Sequence, residues 1–180
     1  MIKNMIEAER DAVFSVADLM VAAARTAPKG SGRDNVLAVI LTGKDKDQLV
    51  EAMQALAKEF NEDFIDRDAL NVDNSHCVVV IGVKDIPFGL ENCHMCGFEN
   101  CATAKKLGAN CTFNITDLGV AIGSAVSIAA DHRIDNRVMY SAGKGAIKIK
   151  CFPEDVKVCY GIPLYTGSKS IYFDRNPGAV

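Results

Sequence analysis

Between Cys93 and Cys111 the chain reads CHMCGFENCATAKKLGANC, which places four of its seven cysteines within nineteen residues. Cys93, Cys96, Cys101 and Cys111 are separated by two, four and nine residues. Four thiols crowded this closely are a device for holding something. Disulfides are the first occupant to weigh. They persist in oxidising compartments, and the opening MIKNMIEAERDAVF lacks the apolar core of a secretory signal. Seven is also an odd number of cysteines, and a 180-residue chain that is 49% hydrophobic forms a core without staples. A reduced, cytoplasmic protein is therefore expected. Zinc is the second occupant. A four-cysteine zinc site pairs two short knuckles; Cys93 and Cys96 make one, but Cys101 and Cys111 are too far apart to make the other. An iron–sulfur cluster takes its ligands from a compact loop plus a more distant cysteine, which suits these intervals better, although they match neither the bacterial nor the plant-type ferredoxin run.

The rest of the chain reads as α/β. Residues 6–27 carry Val13, Val16, Ala17, Met20, Ala23, Ala24 and Ala27 at helical spacing. Pro28 closes that helix, and the loop PKGSGRDN follows. Residues 35–42 and Cys77–Val83 are apolar runs of strand length, expected to be buried on both faces. Between them lies a helix with Leu49, Met53, Leu56 and Phe60 as its buried stripe. The acidic stretch NEDFIDRDALNVDN is expected to be irregular, solvated surface with room for one short helical turn. Residues 86–113 form the cysteine loop, with a brief helix over Ala102–Leu107, where Lys105 and Lys106 either offset the charge of a thiolate-bound cluster or, the simpler reading, face water. His94 and His76 receive no ligand role. Residues 114–133 form a long helix with the stripe Leu118, Ala121, Ile122, Ala125, Ile128 and Ala129. Gly119 and Gly123 mark a second face, suited to internal packing or to a subunit contact. Gly143 and Gly145 flank Lys144, a weak phosphate-binding signal. A last strand covers Val156–Ile162, with Cys77, Cys151 and Cys159 read as structural and the tail as extended. A net charge of −3 and a pI near 5.6 give no electrostatic footprint for nucleic acid. No unbroken apolar run reaches membrane-span length, so no membrane partner is expected.

Two resemblances add to this reading. CxxCGFxxC, a short alanine- and lysine-rich helix and a further cysteine resemble the small 4Fe–4S domain of corrinoid iron–sulfur proteins and electron-transport subunits. That resemblance implies Cys93, Cys96, Cys101 and Cys111 as cluster ligands. Over nearly its whole length, and most clearly in DLGVAIGSAVSIAADHRIDNRVMYSAGKGA, the chain resembles a family of prokaryotic proteins described as containing a ferredoxin domain. The segments ADLMVAAARTAPKGSGRDNVLAVILTGKDKDQLVEAM and FPEDVKVCYGIPLY resemble the nitroreductase fold. This second resemblance implies one nitroreductase-like α/β domain over 1–180, with 86–113 as a ferredoxin-like insertion. It also implies a homodimer and FMN contacts at Lys29, Gly30, Ser31, Arg33 and Asn35. The arginine- and serine-rich N-terminal segment with which nitroreductases anchor the flavin phosphate has no counterpart here, where Arg10 stands alone.

Two functions stay open at this point. One is a 4Fe–4S protein that transfers electrons, or a cluster-fed, flavin-dependent reductase, working with a redox partner protein or a small organic electron acceptor. The other is a non-enzymatic binding or sensing module stabilised by zinc or a cluster. No general acid, base or nucleophile stands out, so any bond chemistry belongs to a cofactor.

Overall fold

The structure is a computed structural model that describes residues 2–173. The first helix, α1 (Met5–Thr26), starts from a capping box. Asn4 accepts the Glu7 N–H at 2.9 Å, and the Glu7 carboxylate accepts the Asn4 N–H at 3.3 Å. Val13, Val16, Ala17, Met20 and Ala24 form its buried face. A single tight turn at Gly30–Gly32 leads into β1 (Val36–Leu41). Next come α2 (Gly43–Phe60), α3 (Asp63–Asp73) and β2 (Cys77–Lys84). The cysteine segment follows, holding the short α4 (Cys101–Lys106) and running into α5 (Thr112–Asp131). The chain closes with β3 (Asp135–Asn136), α6 (Tyr140–Lys148) and β4 (Val156–Tyr165).

The four strands form one antiparallel sheet in the order β1-β2-β4-β3. β2 lies inside it, and its side chains alternate between two cores as a strand requires. Cys77, Val79, Ile81 and Val83 point into a core shared with α1 and α5. Val78 and Val80 point into a second core shared with α2, α3 and α6. The result is a sheet covered by helices on both faces, with the cysteine segment leaving from the end of β2.

Several sequence expectations need correction. β1 is an edge strand, so its four middle residues are only partly buried rather than covered on both faces. The acidic stretch after α2 is not irregular: it forms α3. Ile65, Asp68, Ala69 and Val72 are buried at helical spacing, and Asp68 accepts a hydrogen bond from Ser141 Oγ at 2.6 Å. Phe60 ends α2 and is 46% exposed, because the chain turns away at Asn61 in the left-handed region (φ 54°). Gly143 and Gly145 lie within α6 and serve packing rather than phosphate. A side chain at Gly143 would collide with the Cys159 carbonyl, and one at Gly145 would meet Leu49 and Met53 at 2.8 Å. The described tail folds back instead of extending, burying Tyr172; the polar end of that stretch lies outside the described residues. Finally, α5 is long and apolar enough to cross a membrane by length and composition, although polar residues interrupt it. In the fold it packs Leu118, Ala121, Ala125 and Ala129 into the α1 core. The Gly119 and Gly123 face is not used for internal packing, since a Cβ at either position would meet nothing within 4 Å.

Candidate functional site

Past Lys84 the chain leaves the sheet and curls. Gly89, Asn92, His94 and Gly97 all adopt positive φ, which reverses the backbone repeatedly within a short span. The Gly97 N–H closes one turn on the His94 carbonyl at 2.9 Å. Asn100 caps α4 by accepting the Thr103 N–H at 2.9 Å, which sets Cys101 in the first turn of that helix. Cys111 occupies the N-cap position of α5, and its side chain makes no capping hydrogen bond.

The outcome of these turns is convergence. Cys93, Cys96, Cys101 and Cys111 are all free, half-buried and part of the lining of one open cavity of about 70 Å³. Phe88, Phe98 and Phe113 supply its apolar walls. Among the described residues no three His, Cys, Asp or Glu side chains stand close enough to hold a single ion; the four cysteines line one cavity instead. Thiolates are ligands for iron–sulfur clusters as well as for zinc, so this donor set fits a cluster. Lys105 and Lys106 are exposed. His94 is also exposed and lines the cavity, where its Nδ1 lies 3.3 Å from the Phe98 carbonyl oxygen. His76 sits elsewhere, stacked on Tyr165.

The other three cysteines differ in kind. Burial pushes the Cys77 and Cys159 thiols up to about 12 and the Cys151 thiol up to about 11. Cys159 donates its thiol to the Gly143 carbonyl at 3.1 Å. These groups are protonated near neutral pH, and a protonated thiol is a poor ligand and nucleophile.

The 29–35 loop lies against the entrance to the cysteine segment. Lys29 is turned inward, its side chain 4% exposed, with Nζ donating at 2.6 Å to the Ala24 and Arg25 carbonyls. It caps the C-terminal end of α1 and has little left to offer a phosphate. The Gly30 N–H donates to Asp117 Oδ1 at 2.9 Å. Ser31 is exposed in the left-handed region (φ 53°). Arg33 donates from NH1 to the Phe88 carbonyl at 2.7 Å, and Asn35 donates from Nδ2 to Asn114 Oδ1 at 3.3 Å. Phe88, Phe113, Asn114 and Asp117 are not singled out by the sequence reading. Asn114 and Asp117 carry a readable signal: both are polar yet fall seven and four residues before Ala121, on the buried stripe of α5. The Oδ2 atom of Asp117 is buried without a hydrogen-bond partner. Phe88 carries no comparable signal.

The fold is that of the nitroreductases. It is similar to a nitroreductase with bound FMN from Desulfitobacterium hafniense DCB-2, 15% identical, with a TM-score of 0.58 over 86% of this chain and 78% of that one. It is also similar to a BluB-like flavoprotein from Clostridium difficile 630, 19% identical, with a TM-score of 0.54 over 86% and 84% of the two chains. In sequence, the chain is 39% identical to an uncharacterized protein of Archaeoglobus fulgidus over 98% of this chain and 99% of that one. Residues 107–175 match the family described as "Uncharacterized protein containing a ferredoxin domain (DUF2148)", a span that includes Cys111 and stops short of the other three cavity cysteines. The chain belongs to this ferredoxin-domain family, built on the nitroreductase fold.

Proposed function

We propose that this protein is a redox protein whose Cys93, Cys96, Cys101 and Cys111 hold a 4Fe–4S cluster. The observation that carries the reading is the placement of those four free thiols around one cavity, while the remaining three lie apart from it. A bound cluster supplies a one-electron couple, with a potential set by net charge, hydrogen bonds to sulfur and exposure. The chain's part is to orient the four sulfurs through the turns at Asn92, His94 and Gly97 and the starts of α4 and α5. It also shields one side of the cavity with Phe88, Phe98 and Phe113.

The reading extends to FMN at the 29–35 loop and to a small organic electron acceptor or a redox partner protein. Its support is the fold shared with FMN-binding proteins and the position of the loop beside the cysteine segment. Ser31, Arg33 and Asn35 are the side chains offered to a flavin, while Lys29 supports the loop from behind. A homodimer through the open Gly119 and Gly123 face of α5 and a cytoplasmic location complete the proposal.

Replacing one ligand tests it. Cys96→Ser should lose the visible absorption of the anaerobically loaded protein, whereas Cys159→Ser should keep the spectrum and change stability alone. Retention of the full spectrum by Cys96→Ser would overturn the ligand assignment.

A further inference from the structure

Phe88 is the point at which the two loops meet. Its ring lines the cysteine cavity and stacks on Phe113, with centroids 5.0 Å apart. The Arg33 guanidinium lies 5.4 Å from the same ring centroid while donating to the Phe88 carbonyl. Gly30 packs so closely that a Cβ there would stand 2.7 Å from Phe88 Cε1 and 3.4 Å from Phe113 Cδ1. Two polar links run alongside. One goes from Asn35 to Asn114, which in turn donates to the Ile86 carbonyl at 2.9 Å; the other joins Gly30 to Asp117. The segments touched are therefore those leading into Cys93 and out of Cys111.

We infer that the 29–35 loop and the cysteine centre are thermodynamically coupled, with Phe88 as the positioning residue that carries the coupling. Filling the cavity immobilises Cys93 and Cys111, and with them the segments bearing Phe88 and Phe113. The Gly30–Arg33 turn rests on those rings, so it is ordered at the same time. Ordering already completed at one site lowers the entropic cost of binding at the other. The effect is reciprocal, so a ligand of the 29–35 loop tightens the cysteine site by the same factor. This inference rests on the cysteine-centre reading above, but not on the identity of the loop's ligand.

The test is hydrogen exchange of residues 29–35, compared between metal-free protein and protein loaded anaerobically with ferrous iron and sulfide. α6, on the other side of the sheet, is the internal reference. Loading should slow exchange in the loop at least about fivefold relative to α6, the lower end of ordinary coupling strengths. In Phe88→Leu protein, with the loaded form compared at the same iron and sulfide content per chain as the wild type, that difference should be lost. Gly30→Ala, whose new methyl pushes on the Phe88 ring, should shorten the lifetime of the visible absorption in chelator. Iron uptake with unchanged loop exchange, or a Gly30→Ala protein with wild-type lifetime, would overturn the coupling alone. If the wild-type protein takes up no iron and sulfide, the cluster reading falls, and the coupling falls with it.

Discussion

At the scale of single residues, burial divides the seven cysteines by chemistry. Cys77 and Cys159 lie in strands facing apolar cores, and desolvation holds both as neutral thiols, with Cys77 and Cys159 each pushed up to about 12. The unfolded chain titrates these thiols near their ordinary value, so above that value it releases protons before the folded chain does. Their stabilising contribution is whole below about pH 9 and is lost as pH rises towards about 12, at up to about 1.4 kcal/mol per pH unit for each thiol. Urea unfolding under reducing conditions at about pH 8 and about pH 10 should show this fall, and Cys77→Ala should make it shallower. The strand runs around Cys77 and Cys159 made their structural role readable from the sequence. Lys29 was not readable in the same way. A lysine in a glycine-rich loop resembles an anion contact, yet its ammonium is taken by the last carbonyls of α1, an interaction that exists only once that helix has ended there.

At the scale of elements, glycines show where helices must come close and where they need not. α6 lies against β4 through Gly143, and Gly143→Ala should destabilise the chain by about 2 kcal/mol or more, the range of core overpacking. Gly123→Ala adds its methyl to a face of α5 that is open within one chain, so at concentrations low enough to keep the protein monomeric it should stabilise by about 1 kcal/mol through helix propensity. Thermal melts of the two variants should move in opposite directions. Hydrophobic period made α1, α2 and α5 and the longer strands legible. α3 was hidden because its acidic residues dominate the stretch by count. Only the spacing of Ile65, Ala69 and Val72 reveals the buried stripe, and Asp68 joins that face by pairing with Ser141 and Arg67.

For the whole molecule, the sheet and its two helical layers form a scaffold. The cysteine segment leaves it between β2 and α5, beside the loop that follows α1. The four-cysteine set was legible because its spacing is local in sequence. Its closeness to the 29–35 loop was not, since the linking hydrogen bonds join residues 55 to 87 positions apart. That proximity is what makes a cluster-fed flavin site physically reasonable in so small a chain. The most direct test is to purify the protein anaerobically and measure iron, acid-labile sulfide, zinc and flavin in one sample beside the visible spectrum. The expected result is about four iron and about four sulfide per chain, the content of a 4Fe–4S cluster. A colourless protein with about one zinc per chain and no sulfide, as a structural zinc site with four cysteine ligands would give, would contradict it.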